Sequence, residues 1–149
     1  MPQGASSLPI VALACIGLLS GCGKGGSHER WYEQGQQPQT QWEQKGAEFV
    51  GKLLQRDFAA AHRMLATGLQ AQVKEQDLEQ HTLTLVSEQF RPMDSPWVLT
   101  SLTTWPAKGF SDLGWVYVQI GGDNNEAIAV VVTRESGELR IKEITWGRP

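Results

Sequence analysis

The sequence predicts one α+β domain, three helices packed on a curved antiparallel sheet of about four strands. Three observations carry this. Apolar residues recur at helical spacing up to about residue 89, then switch to a period of two from about residue 97. The strand-like runs are joined by short segments of turn residues, which suit antiparallel neighbours. At 149 residues the chain has the length of one domain, and its six Trp supply bulk for a core.

The chain opens with MPQGASS, which holds no Lys or Arg, followed by LPIVALACIGLL from Leu8 to Leu19. That apolar run is too short to cross a bilayer, which takes about 20 residues, but it has signal-peptide length. Leu19-Ser20-Gly21-Cys22 then resembles the lipobox of bacterial lipoproteins. The resemblance implies that the Cys22 thiol takes a diacylglyceryl group, that residues 1–21 are removed as a signal peptide, and that the new amino group is acylated. The membrane is then a partner through the anchor at Cys22, because two or more acyl chains hold a protein stably where one is marginal. In enteric lipoproteins Asp after the cysteine favours the inner membrane. Gly23 stands there, so the implied location is the periplasmic side of the outer membrane. Residues 22–39 are rich in Gly, Gln and Ser and read as the lipidated cysteine and its tether, with Trp31 and Tyr32 inside it. A tether of that length spans on average about 20 to 25 Å as a coil.

Residues 40–149 form the expected domain. Thr40-Gln41-Trp42-Glu43 has the spacing of a capping box, so a helix starts there, and Trp42, Phe49, Val50, Leu53 and Leu54 give it one apolar stripe. Asp57 caps a second helix, FAAAHRMLA, with Phe58, Ala61, Met64 and Leu65 on one face and a break at Thr67-Gly68. Asp77 with Gln80 opens a third helix to about Gln89 that buries Leu78, Leu85 and Val86. RPMDSP breaks the helical pattern. WVLTSLTTW, LGWVYVQI, AIAVVVTR and LRIKEITW follow as strands, with GGDNNE and ESGE as turns.

Thirteen basic against sixteen acidic residues leave no basic field, which disfavours nucleic acid, and no nucleic-acid partner is expected. Both cysteines, Cys15 and Cys22, precede the domain, so the domain forms no internal disulfide and no thiolate metal site. His28, His62 and His81 lack the spacings of a zinc site, and there is no HExxH, no GxSxG and no phosphate-binding Gly loop. No metal and no cofactor are expected. Among acids, Asp57 and Asp77 are committed to caps. His62, beside an apolar stripe, His81, one turn into the third helix, and Asp112, before a strand, remain as candidate general bases.

The run AEFVGKLLQRDFAAAHRMLATGLQAQVKEQDLEQ and the closing LRIKEITW resemble the nuclear transport factor 2-like superfamily, over roughly residues 40–149. The resemblance implies a cone-shaped, cystatin-like α+β fold. It also implies either a lipoprotein or accessory binding domain, or an enzyme such as an isomerase or hydrolase working in the cone's pocket. The sequence thus favours a cell-envelope lipoprotein that binds a protein or small apolar ligand without catalysis. An enzyme using His62 or Asp112, or an immunity or assembly-accessory lipoprotein, are the alternatives.

Alternation supplies the candidate binding residues. Val116, Val118 and Ile120 oppose Trp115, Tyr117 and Gln119, and Ile128, Val130 and Val132 oppose Ala127, Ala129 and Val131. One face suits a dry core. The other sets rings with polar tips beside small residues, as in an interface with a second copy or another envelope protein, or in the lining of a cone. Trp97 and Trp105 share a parity and are candidates for the same surface.

Overall fold

A computed structural model describes residues 37–86, 92–121 and 126–147. The leader, Cys22 and most of the tether lie outside the described residues. Within them the fold is α+β: four helices, α1 (Gln41–Leu54), α2 (Phe58–Arg63), α3 (Thr67–Gln70) and α4 (Glu75–Leu85), precede four strands, β1 (Pro92–Leu102), β2 (Asp112–Gly121), β3 (Glu126–Glu135) and β4 (Glu138–Trp146). The strands form one antiparallel meander in the order β1-β2-β3-β4.

α1 starts as its sequence dictates. The Thr40 hydroxyl accepts the Glu43 amide at 3.2 Å, and the Glu43 carboxylate accepts the Thr40 amide at 2.9 Å. Its stripe of Phe49, Val50 and Leu53 is fully buried, each side chain contributing about 1.5 to 3 kcal/mol. The helix ends in a Schellman turn: Asp57 donates to the Lys52 carbonyl at 2.9 Å and Arg56 to Leu53 at 3.0 Å, with Arg56 in the left-handed region at φ 60°. Asp57 then caps α2 through the Ala60 amide at 3.1 Å.

Two helical expectations need correction. Thr67-Gly68 does not break the chain but begins α3, and the cause is tertiary: Glu135 at the end of β3 accepts the Thr67 amide at 2.9 Å. The next helix starts at Glu75, so Asp77 occupies its third position and accepts the Lys74 amide at 2.7 Å, half of a capping box. Leu78 is buried as expected, while Leu85 and Val86 are half-buried against the core.

Among strands, β1 begins at Pro92, inside the segment expected to be a breaker, and ends at Leu102. Pro is tolerated there because β1 is an edge strand. β3 and β4 join through Ser136 (φ 51°) and Gly137 (φ 87°), the positive-φ pair of a tight hairpin. The free edge of β4 is partly covered, since Ile141 donates to the Met64 carbonyl at 2.9 Å and accepts the Ala66 amide at 2.8 Å.

The core lies between helices and sheet. Val98, Val116, Val118, Ile120, Ile128, Val130, Val132 and Ile141 face Phe49, Val50, Leu53, Ala61, Met64, Leu65 and Leu78. The four described helices pack on this one face of the sheet.

Candidate functional site

Register decides what stands on the opposite, outer face of the sheet. β1 places Trp97 opposite Gln119, Thr100 opposite Tyr117 and Leu102 opposite Trp115, and β2 places the same three residues opposite Ala127, Ala129 and Val131 of β3. Bulky side chains on β2 thus flank small ones on β3, and Ala127, Ala129 and Val131 are buried at 0 to 3 % exposure although they lie on the face opposite the described helices. Trp115 and Tyr117 lie parallel, ring centroids 5.6 Å apart and planes 13° apart, and both rings are half-buried. On β4, Glu143 and Thr145 oppose Val131 and Ala129.

Trp97 joins this surface but Trp105 does not. The strand ends before it, and Trp105 lies in the β1–β2 loop with the Lys108 ammonium 5.6 Å from its ring centroid. A register irregularity between Val98 and Thr100 also breaks the parity on which the shared face of Trp97 and Trp105 rested. Sequence reasoning missed Leu102, 43 % exposed, and Phe110, which is fully exposed. The only signal for Phe110 was an aromatic inside a segment of turn residues.

The candidate bases are held apart and engaged. Asp112 is buried on the outer side at the start of β2, accepting both Lys142 (2.9 and 3.0 Å) and the Gly109 amide (2.7 Å). Burial alone pushes its carboxyl up, but the hydrogen bonds from Lys142 and Gly109, the Lys142 charge and the Thr133 hydroxyl outweigh it and hold it below the ordinary value. A carboxylate so held is a weak proton acceptor at neutral pH. His62 lies in the helical layer, where its Nε2 is 2.8 Å from the Val73 carbonyl, and so donates there, joining α2 to the approach of α4. His81 stacks on Trp146 at 5.2 Å. His62 and Asp112 are thus separated by the sheet and supply no acid–base pair.

No family model matches this chain, and no curated protein or solved structure matches it. Chemistry must be judged from geometry. Among the described residues no group of three or more His, Cys, Asp or Glu is placed to hold a metal ion. The larger cavities are open grooves. One of about 630 Å³ passes the edge of β4 between Lys142, Thr133 and Leu69, and one of about 680 Å³ lies between α1, α2 and the β3–β4 hairpin. The second is lined by Lys45, Lys52, Arg63 and Arg140, but Glu48, Asp57 and Glu138 pair with three of these cations. Neither groove offers an enclosed apolar cavity with convergent polar groups of the kind that ligand sites use.

Proposed function

We propose that the chain is a cell-envelope lipoprotein anchored through Cys22, presenting a non-catalytic binding domain, with the outer sheet face as its binding surface. One observation carries the reading. Trp97, Leu102, Trp115 and Tyr117 form an apolar and aromatic band on the sheet face opposite the four described helices, and half-buried rings with polar tips are what interfaces enrich. The band bears no charged side chain of its own, which suits a protein surface of similar character, a second copy or another envelope protein. LSGC at 19–22 supports the anchor, and the helices-then-strands order is compatible with a nuclear transport factor 2-like cone. The enzyme reading, with His62 or Asp112 as the base, loses support because Asp112 is held as a carboxylate by Lys142 and the Gly109 amide and His62 Nε2 is engaged by the Val73 carbonyl.

Crosslinking of the anchored protein in its native envelope tests the proposal. The expected result is a discrete protein adduct that is lost when Trp115 and Tyr117 are both replaced by Ala. Turnover of a model ester or steroid with no adduct would overturn it in favour of the enzyme.

A further inference from the structure

The β1–β2 loop, residues 103–111, combines three observations that the binding face does not absorb. Phe110 is fully exposed, an aromatic ring with no packing against the described residues. A half-buried Trp105 lies in the same loop with the Lys108 ammonium near its ring. Lys108 spends one N–H on the Thr103 carbonyl and keeps two donors for other acceptors. Rings at headgroup depth with an amine reaching phosphate oxygens is the composition of a membrane interface.

The second observation is where the chain enters the domain. Glu43 accepts the Gln39 and Thr40 amides on one carboxylate oxygen and the Ser101 hydroxyl, at 2.6 Å, on the other. Ser101 is the residue before Leu102. Trp42, one position earlier on α1, lies against Gly114 near the start of β2. The described chain therefore begins at the loop end of the sheet. The third is reach: the fourteen residues 23–36 separate Cys22 from Gln37, and such a segment extends to about 50 Å at most and averages about 20 Å as a coil.

We infer that the β1–β2 loop is a second membrane contact, in which Phe110 enters the headgroup region, Trp105 rests at its level and Lys108 meets lipid phosphates. The inference rests on the lipoprotein reading of Cys22. A few side chains from a near-neutral domain bind a bilayer only marginally by themselves, but the anchor makes the contact intramolecular, so the tether's effective concentration decides it. The contact would stand the outer sheet face roughly across the membrane plane and leave it open to a partner.

The test uses the full lipidated chain reconstituted in phosphatidylethanolamine–phosphatidylglycerol vesicles, with a photo-crosslinking amino acid at position 110 or at position 83. Leu83 is a fair control because it is 44 % exposed on α4, whose Leu85 approaches Gly147 beyond the other end of β4. Lipid adducts should form at position 110 several-fold more than at position 83. Equal yields, or adducts at 110 with protein alone, would overturn the inference. Intact mass on the same sample separates the failures. A chain without lipid on Cys22 that does not float with vesicles overturns both readings, whereas a lipidated, floating chain without adducts at 110 overturns the loop contact alone.

Discussion

Trp42 occupies the space that a side chain on Gly114 would need: a Cβ there would lie 2.2 Å from the Trp42 ring. The start of α1 is thereby seated on the start of β2, and a helix registers on a sheet through one ring against one bare backbone. Gly46 allows a second close approach, since a Cβ on it would come 3.1 Å from Val130. Gly114→Ala should cost about 3 kcal/mol, the upper end of overpacking costs. Chemical denaturation checks this, and Trp42→Val should recover much of the loss in the double variant but not alone, a coupling that a mere backbone effect at position 114 would not give.

Asp112 and Glu43 make stability sensitive to acid. Burial pushes the Glu43 carboxyl up, but the Ser101 and Thr40 hydroxyls and the Thr40 and Gln39 amides outweigh it, so both groups sit below their ordinary values. A carboxylate with a depressed folded pKa contributes stability that is fully present above its unfolded pKa and is lost as pH falls through the folded one. The melting temperature should thus be flat above about pH 5 and fall in acid. Asp112→Asn should cost about 1 to 2 kcal/mol at neutral pH and make the acid decline shallower. The cost stays modest because the Lys142 side chain, 37 % exposed, regains water.

Arg56 holds a left-handed conformation, φ 60°, at the position after the α1 C-cap where glycine is favoured. Arg56→Gly should raise stability by about 0.5 to 1 kcal/mol, since relief of the Cβ clash outweighs glycine's extra unfolded-state entropy. An unchanged or lower denaturation midpoint would show that the Arg56 side chain contributes more than its backbone strain removes.

Cys22→Ser should abolish labelling by an alkyne fatty acid and leave the chain unprocessed or soluble. Gel fluorescence after click coupling reads this directly. Undiminished labelling with cleavage elsewhere would end the lipoprotein reading.

Trp115→Ala with Tyr117→Ala should remove partner capture while leaving the far-ultraviolet circular dichroism spectrum intact. Their rings cap Ala129 and Val131, so some stability loss is expected, about 1 to 2 kcal/mol. If instead the double variant unfolds, and the parent chain without its anchor sediments as a monomer at high micromolar concentration, these rings are core and the binding face is wrong.

Much of the fold was legible because its causes are local. The Thr40–Glu43 capping box, the Asp57 cap and the change from helical to alternating period each operate within a few residues, and the meander follows from short connections that leave antiparallel pairing as the only course. The face of β2 was legible for the same reason, as alternation alone separates Trp115 and Tyr117 from Val116 and Val118. Where β1 stops was not, because nothing between Leu102 and Trp105 is a strong breaker, and pairing with β2 decides it.

The sequence by itself determined that helices precede a four-stranded antiparallel sheet and which side chains of β2 and β3 face inward and outward, and it supplies the motif that makes Cys22 a candidate anchor, since each depends on spacing or on a short motif. Only the tertiary structure decided that Thr67 starts a helix, because its cap is Glu135 from another strand, 68 positions away. It alone engaged Asp112 with Lys142 across the sheet, separated it from His62, and set Glu43 against Ser101 at the end of β1 that leads into the β1–β2 loop. Those relationships depend on register and on close approach between distant segments, and a one-dimensional pattern has no term for either.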